Sequence, residues 1–190
     1  SCHYLIDKKG KIIQMVPENK IAWHAGKSMW KNFIDLNKKS IGIELVNKGH
    51  RFGYENFTVI QINSLIKLCK LLKRKYKIKK ENFLGHSDIA PLRKIDPGEK
   101  FPWRKLSKYK IGLWFKNKKV IKEQKVSYQL FFKNLHKIGY RYFNIYKKSS
   151  KDKLIIKAFQ RKYLPSDVSG KLNQKTMKIG QYLANLINYT

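Results

Sequence analysis

The sequence has few cysteines and no long apolar run, and both shortages narrow the class of protein. Its 190 residues include two cysteines, Cys2 and Cys69, which make neither a disulfide framework nor a Cys-x-x-Cys metal site. Cys69 falls in an apolar helical stretch, where a buried thiol is expected. No segment approaches the roughly 18 apolar residues of a membrane-spanning helix. No charged segment followed by an apolar run opens the sequence, so no signal peptide is expected within it.

Acidic residues are also scarce. Twelve aspartates and glutamates stand against 43 lysines and arginines, which gives a formal net charge of +31. Such an excess attracts polyanions: nucleic acid, anionic lipid or an acidic polymer. Arginine, the residue best suited to bidentate recognition of phosphates and bases, supplies only six of the 43 cations. Because the lysines are spread along the chain, an AT-rich genome explains them equally well. A specific nucleic-acid partner is therefore not expected, and the role of the charge stays open.

Hydrophobic residues make up 42% of the chain, which is enough for a packed core in one medium or two small domains. Alternation predicts a β-hairpin over residues 3–16 and a strand over residues 41–46. Helical spacing predicts an amphipathic helix over residues 58–76, opened by a capping box of Thr58 and Gln61. Strands that alternate with a helix indicate an α/β fold, in which a mixed β-sheet is flanked by helices.

The character of the sequence changes after the first hundred or so residues. Residues 116–125 are polar and lysine-rich, which is typical of a linker. Three helical patterns follow, near 126–138, 152–163 and 174–188. We therefore predict a first domain over residues 1–115 and a small three-helix bundle over residues 126–190.

The segment 85–98 holds the residues best suited to metal chemistry. His86 is expected at the end of a strand, and Asp96 follows ten residues later in a proline-bounded loop. An imidazole and a carboxylate can bind zinc, and a catalytic zinc typically has three protein ligands and a water. In an extended loop, Lys94 would point to the same side as Asp96, where a cation could stabilise an oxyanion. By spacing alone, such a His–Asp pair is more often structural, and Lys94 is by default a solvated lysine.

Glu44 is the only acid of its predicted strand. Strand alternation places it with Gly42 and Val46, and neither of them can pair with a carboxylate. A carboxylate on a partly buried face needs a partner and could serve as a general base. The alternative is that this face of the strand is exposed to solvent.

Trp23 and His24 follow the predicted hairpin. Their rings could line a groove that binds a sugar, since aromatic faces pack well on sugar rings. Composition alone favours the alternative, in which Trp23 belongs to the core.

Taken in order, these segments resemble one family. The segments are Ser1–Ile6, Val16–Glu18, Ala22–Gly26, Asn37–Leu45, Gly85–Pro91, Arg93–Gly98, Phe101–Trp103 and Gly112–Trp114. Residues 1–115 resemble the amidase-2 family of zinc-dependent N-acetylmuramoyl-L-alanine amidases, and are most similar to its branch of periplasmic outer-membrane lipoproteins. Residues 126–190 resemble the peptidoglycan-binding domain of that branch, with Asn173 where the pattern usually has Asp. Because Asn also caps helices well, this substitution affects at most a helix cap.

The resemblance implies a zinc site and a reaction. His86 and Asp96 correspond to two zinc ligands. Glu44 corresponds to the acid that activates the metal-bound water, and Lys94 stabilises the developing oxyanion. The implied reaction is hydrolysis of the amide bond between N-acetylmuramic acid and L-alanine in peptidoglycan.

The resemblance also implies the setting of the protein. Trp23 and His24 would border the substrate groove, and the partners would be peptidoglycan and muramyl peptides. The implied location is the bacterial periplasm, with a monomer held at the outer membrane by a lipid anchor outside this chain. In one respect the chain departs from the family. The family's first zinc ligand is a histidine in a strand upstream of the segment that begins at Ser1, and His3 matches a different histidine. We therefore expect one ligand to be absent, and a non-catalytic peptidoglycan-binding protein is the alternative function.

Overall fold

The computed structural model describes residues 1–116 and 125–187. The predicted linker over 116–125 lies almost wholly outside these residues. The chain forms two compact units. The first comprises residues 1–28, 33–84 and 100–112, and the second comprises residues 29–32, 85–99 and the described part of 113–190. The predicted domain boundaries stay a prediction.

The described residues form short strands and helices of 4 to 17 residues. The strands are β1 (Tyr4–Ile6), β2 (Ile12–Gln14), β3 (Met29–Trp30), β4 (Phe33–Ile34) and β5 (Ile43–Leu45). The helices are α1 (Val59–Lys75), α2 (His86–Ile89), α3 (Trp103–Ser107), α4 (Tyr128–Ile138), α5 (Asp152–Tyr163) and α6 (Gln174–Ile187). Single 3-10 turns span Leu36–Lys38, His50–Phe52 and Lys80–Asn82. No helix of the described residues is both long enough and apolar enough to span a bilayer.

The first unit contains a mixed three-stranded sheet. Its middle strand, β1, runs antiparallel to β2 and parallel to β5. Gly10 has a φ of +82°, which suits a glycine, and its N–H donates to the carbonyl of Asp7 in the turn between β1 and β2. The predicted hairpin and the predicted mixed sheet are confirmed.

Helix α1 packs against this sheet through its apolar face. The buried residues of that face include Ile62, Leu65, Ile66, Cys69 and Leu72, as helical spacing predicts. Thr58 caps the helix by accepting the N–H of Gln61 at 3.1 Å. The prediction that the Gln61 side chain bonds back to the N–H of Thr58 to complete the capping box is wrong. The Gln61 amide instead donates to the carbonyls of Ile6 and Val46, each at 3.1 Å. Its side chain therefore fastens α1 to strands β1 and β5.

The second unit contains the three helices predicted for the C-terminal part. Helix α4 begins after Ser127, whose hydroxyl accepts the N–H of Leu130, and the Asn173 side chain accepts the N–H of Thr176 at 2.9 Å at the start of α6. Asn173 thus caps a helix. Between the helices, the fully buried rings of Phe131 and Phe159 meet edge to face with centroids 5.4 Å apart. Each buried ring contributes roughly 1.5–3 kcal/mol to folding.

Candidate active site

His86 and Asp96, the two predicted zinc ligands, lie side by side in the second unit. Nδ1 of His86 is 3.0 Å from Oδ2 of Asp96. The His86 side chain is largely buried, whereas the Asp96 side chain is 57% exposed. His86 is therefore held within the fold, whereas Asp96 faces solvent.

Local hydrogen bonds explain why His86 takes this position. His86 is the first residue of the short helix α2, so the prediction that it ends a strand is wrong. The helix starts there because the Asp88 carboxylate accepts the N–H of Gly85 at 2.8 Å. It stops at Ala90 because the following residue, Pro91, disfavours helical geometry at the position before it.

Two backbone hydrogen bonds fold the segment that follows α2 back on itself. The N–H of Ser87 donates to the carbonyl of Asp96 at 2.9 Å, which brings the two ends of the motif together. The N–H of Lys94 donates to the carbonyl of Ala90 at 3.0 Å, so residues 90–94 form a turn. The prediction of an extended loop around Lys94 is therefore wrong, although the charge of Lys94 does act on Asp96.

Positive charge surrounds the Asp96 carboxylate. Partial burial would raise its pKa, but the hydrogen bond and the charge of His86 outweigh this effect and, with the charge of Lys94, lower the pKa. The Arg93 guanidinium lies 3.5 Å from Nε2 of His86. The sequence pattern does not single out Arg93. The arrangement favours an ionised carboxylate at Asp96, which is the form of that group that binds metals.

The His86–Asp96 pair fits two positions of a zinc site. Zinc binds imidazole nitrogen and carboxylate oxygen at about 2.0–2.1 Å, which places two tetrahedral ligand atoms about 3.3 Å apart. The observed separation of 3.0 Å is close to that spacing. In the described parts of the chain, however, no group of three or more His, Cys, Asp or Glu side chains forms a metal-binding cluster. The described residues therefore bring together one imidazole and one carboxylate, and their role as zinc ligands stays a prediction.

A buried polar network supports helix α2 from within the second unit. Lys162 of α5 and Tyr140 each hydrogen-bond to the carboxylate of Asp88, at 2.6 Å and 2.5 Å. Burial, and then the charge of Asp88, raise the pKa of Tyr140 far above its ordinary value, so the hydroxyl keeps its proton and donates it. Sequence motifs do not single out this network. Helical spacing offers a signal for Lys162, which follows the buried residues Ala158 and Phe159 at four and three positions and therefore shares their face.

Glu44 belongs to the first unit, where it lies in β5 opposite Leu5 of β1. Its side chain is exposed, so the expectation of a partly buried acid is wrong and the alternative of an exposed strand face holds. Its charge still reaches the buried thiol of Cys2, whose pKa is raised by burial and then by Glu44. The carboxylate is thus accessible to a substrate from solvent.

Trp23 and His24 also belong to the first unit. Trp23 is 68% exposed, so the alternative of a core position is wrong, and the predicted place beside a substrate groove stays a prediction. His24 is held at both ring nitrogens, by the carbonyl of Ala22 at 2.8 Å and the hydroxyl of Ser40 at 2.9 Å. Both contacts fix the ring and leave neither nitrogen directed at a metal. Trp23 is the freer of the two to contact a ligand.

The ring of His24 leaves room only for a glycine at position 42. A Cβ atom at Gly42 would lie 2.3 Å from Cγ of His24, closer than real Cβ contacts allow. Its N–H donates to Nδ1 of the buried His3 at 3.0 Å, and Nε2 of His3 pairs with the carbonyl of Lys20. Both ring nitrogens of His3 thus have partners within the fold, and the prediction that His3 is not a zinc ligand stays a prediction.

Comparison with known sequences identifies the family of this chain. A profile described as N-acetylmuramoyl-L-alanine amidase (Amidase_2) matches residues 1–99. The N-acetylmuramoyl-L-alanine amidase AmiD of Escherichia coli (strain K12) is 44% identical over 126 residues, which cover 60% of this chain and 46% of that protein. The 1,6-anhydro-N-acetylmuramyl-L-alanine amidase AmpD of Haemophilus influenzae is 43% identical over 106 residues, 55% of each chain. The chain thus spans about half the length of the curated relatives it matches.

Comparison with solved structures leads to the same family. The complex of E. coli AmiD with the substrate anhydro-N-acetylmuramic acid-L-Ala-D-gamma-Glu-L-Lys has a TM-score of 0.88 at 33% identity, covering 98% of this chain and 79% of that one. AmpDh3 of Pseudomonas aeruginosa has a TM-score of 0.85 at 30% identity, covering 98% and 82%. A mixed sheet flanked by helices, matched over nearly the whole chain, defines an amidase fold. The chain belongs to the amidase-2 family of N-acetylmuramoyl-L-alanine amidases.

Proposed function

We propose that the chain is a peptidoglycan hydrolase that cleaves the amide bond between N-acetylmuramic acid and L-alanine. The observation that carries the proposal is the convergence of His86 and Asp96, 3.0 Å apart, within the segment matched to the family. The substrate class is supported by two similar structures. E. coli AmiD was solved with an anhydro-muramyl peptide and AmpDh3 with an anhydromuramic pentapeptide.

The proposed chemistry is divided among four residues. His86, through Nδ1, and Asp96, through Oδ2, are the groups that would hold a zinc ion. Bound zinc would lower the pKa of a water molecule toward neutrality and polarise the amide carbonyl. Glu44 takes the proton from the attacking water and passes it to the leaving amine. The ammonium of Lys94 stabilises negative charge on the carbonyl oxygen.

Substrate binding is assigned to the exposed indole of Trp23, which offers a flat apolar face to a sugar ring, with His24 as its rigid neighbour. The proposal also includes the setting implied by the resemblance. The protein would act as a monomer in the bacterial periplasm, held at the outer membrane by a lipid anchor outside this chain. Its partners would be peptidoglycan and the muramyl peptides released from it.

A second candidate function is peptidoglycan binding without hydrolysis. It is favoured by one finding: in residues 1–116 and 125–187, no cluster of three potential metal ligands is present. Two protein ligands hold zinc less firmly than the three of a typical catalytic site. The two candidates share a ligand class and differ in whether the amide bond is broken.

The test separates these functions by measuring products and metal together. The chain is incubated with zinc and an anhydro-muramyl tripeptide, and the free peptide is measured by mass spectrometry, while bound zinc is measured by elemental analysis. We expect free peptide to form, and Glu44→Gln to lower its rate by about 100-fold or more with zinc content unchanged. Binding of the tripeptide without its hydrolysis, in zinc-loaded protein, would favour the second candidate. Undiminished hydrolysis by Glu44→Gln would remove Glu44 from the mechanism.

A further inference from the structure

A shallow basic depression lies at the C-terminal end of α1 in the first unit. Its volume is about 580 Å³. Five cations, one isoleucine and one tyrosine line it: Lys70, Lys73, Arg74, Lys77, Ile78, Lys79 and Tyr109. No acidic side chain of the described residues lines it. We call this surface the basic depression.

The sequence concentrates this charge without neutralising it. Residues 56–80 contain no aspartate or glutamate. Lys70 and Arg74 are four residues apart in α1 and share one face of the helix, and Lys77 follows the helix end with a φ of +50°. The negative end of the helix dipole accommodates the cations of the last turn, but it does not extend to Lys70 or to Lys79 beyond the helix end. The folded chain thus holds several cations together against their mutual repulsion.

Two lysines outside the basic depression add to the repulsion at Lys73. Burial lowers the pKa of its ammonium, and the charges of Lys110 and Lys80 lower it further. Its Nζ donates to the carbonyl of Lys110 at 2.9 Å, which holds it in place. An anion placed in the basic depression would relieve this repulsion.

The composition of the surface distinguishes between polyanions. Nucleic-acid readers use a groove-inserted element or open aromatic faces for base stacking, and the basic depression offers neither. The face of its tyrosine is occupied, because the ammonium of Lys70 lies 4.5 Å from the ring centroid of Tyr109. Lysine clusters next to half-exposed apolar and aromatic side chains are instead typical of anionic lipid surfaces. Leu71, Tyr76 and Tyr109 are such side chains at this end of α1.

We propose that the basic depression docks the protein onto a membrane surface that carries anionic phosphate headgroups. Lysine ammonium groups contact the phosphates as point charges, while the exposed part of Tyr109 lies at the level of the headgroups. This docking goes beyond the proposed hydrolysis and does not depend on it. It would hold the protein at a membrane through its folded surface as well as through any anchor.

A pair of matched double variants tests the docking. Lys70→Gln/Arg74→Gln removes two exposed cations four residues apart at the end of α1. Lys133→Gln/Lys137→Gln removes two exposed cations at the same spacing in the second half of α4. Both variants lower the net charge by the same amount, so they distinguish a local surface from the charge of the whole molecule. Binding of the full chain is measured by co-sedimentation with vesicles of phosphatidylglycerol and phosphatidylcholine, and with vesicles of phosphatidylcholine alone.

We expect the α1 variant to lose vesicle binding and the α4 variant to keep most of it. Each cation near an anionic membrane contributes about fivefold in binding, so the α1 variant should bind the mixed vesicles about 25-fold more weakly than the unmodified chain. The α4 variant should lose less than about twofold, and high salt should release the unmodified chain. Both variants should keep their unfolding temperature and their rate on the muramyl tripeptide, so a failure of docking is distinguishable from a failure of the proposed function.

Three outcomes would overturn the proposal. Equal losses in the two variants would show that net charge alone drives adsorption. Equal binding to both kinds of vesicle would show that the phosphates of phosphatidylglycerol are not recognised. Tighter binding to a short DNA duplex than to the mixed vesicles, lost in the α1 variant, would assign the surface to nucleic acid instead.

Discussion

The ammonium of Lys162 lies 2.6 Å from Oδ2 of Asp88, and both side chains are almost completely buried, at 4% and 1% exposure. The pair joins α5 to α2, the helix that His86 begins. Burial lowers the pKa of Lys162, and the charge and hydrogen bond of Asp88 oppose this shift. Because the N–H of Gly85 and the hydroxyl of Tyr140 also donate to Asp88, each oxygen of the carboxylate has at least one partner.

Removing one member of this pair should destabilise the protein strongly. Lys162→Met leaves the Asp88 carboxylate buried without its cation, which typically costs about 3–5 kcal/mol. Lys153→Met, at an exposed position of the same helix, should change stability by less than about 0.5 kcal/mol. Urea unfolding followed by circular dichroism measures both. Equal stability of the two variants would show that the buried pair contributes nothing.

A double variant separates the effect of the unpaired charge from the effect of the changed side chain. In Lys162→Met/Asp88→Asn the buried negative charge is removed together with its cation, so part of the lost stability should return. A double variant less stable than Lys162→Met would mean that Asp88 acts mainly through its bond to Gly85 at the start of α2.

The helices of this protein follow from local sequence, whereas the candidate site does not. Helix α1 was predictable because its apolar residues recur at helical spacing over many turns and Thr58 caps it. Helix α2 has four residues, too few for any period to register. It is fixed by Pro91 and by the Asp88 carboxylate, whose partner Lys162 is 74 residues away in the sequence. The surroundings of His86 therefore depend on long-range contacts that spacing cannot reveal.

The sequence leaves the exposure of Glu44 and of Trp23 open for a related reason. Alternation shows which residues share a face of a strand, but it does not show whether another element covers that face. Neither side chain is covered within its unit. The ordered motifs nevertheless identified the fold, because several short segments at fixed order are far more specific than any one residue pattern.

The contact between Gly42 and His24 gives a prediction about packing. Gly42→Ala adds a methyl group 2.3 Å from Cγ of His24, so the imidazole must move or the strand must shift. We expect a loss of about 1–3 kcal/mol in stability. In Gly42→Ala/His24→Ala the clash is gone, and a double-mutant cycle by urea unfolding should show a coupling of at least about 1 kcal/mol. Additive effects of the two substitutions would contradict the contact.

The surroundings of Glu18 predict how stability depends on pH. Hydrogen bonds from Lys75, Tyr4 and Tyr76 lower the pKa of Glu18 from 4.5 to about 2. Because the folded state has the lower pKa, the unfolded state binds more protons between these values. The stabilisation by Glu18 is thus complete above about pH 5 and is lost as the pH falls toward 2. Glu18→Gln should be less stable than the unmodified chain at pH 6, and the difference should shrink as the pH falls. A difference independent of pH, measured by urea unfolding from pH 6 to pH 3, would contradict this assignment.

Zinc binding should depend on the His86–Asp96 pair and not on histidines elsewhere. Loss of a supporting partner of a metal ligand typically weakens binding by 10–100-fold, so His86→Ala or Asp96→Ala, which removes a ligand itself, should weaken zinc binding by at least about 100-fold. His50→Ala is the control, since His50 stacks on Tyr54 with ring centroids 4.1 Å apart in a 3-10 turn of the first unit. Competition with a chromogenic chelator measures the affinity without reference to hydrolysis. If His86→Ala and His50→Ala bind zinc equally well, the metal is bound elsewhere. The roles proposed for Glu44 and Lys94, which depend on zinc at His86, would then be wrong.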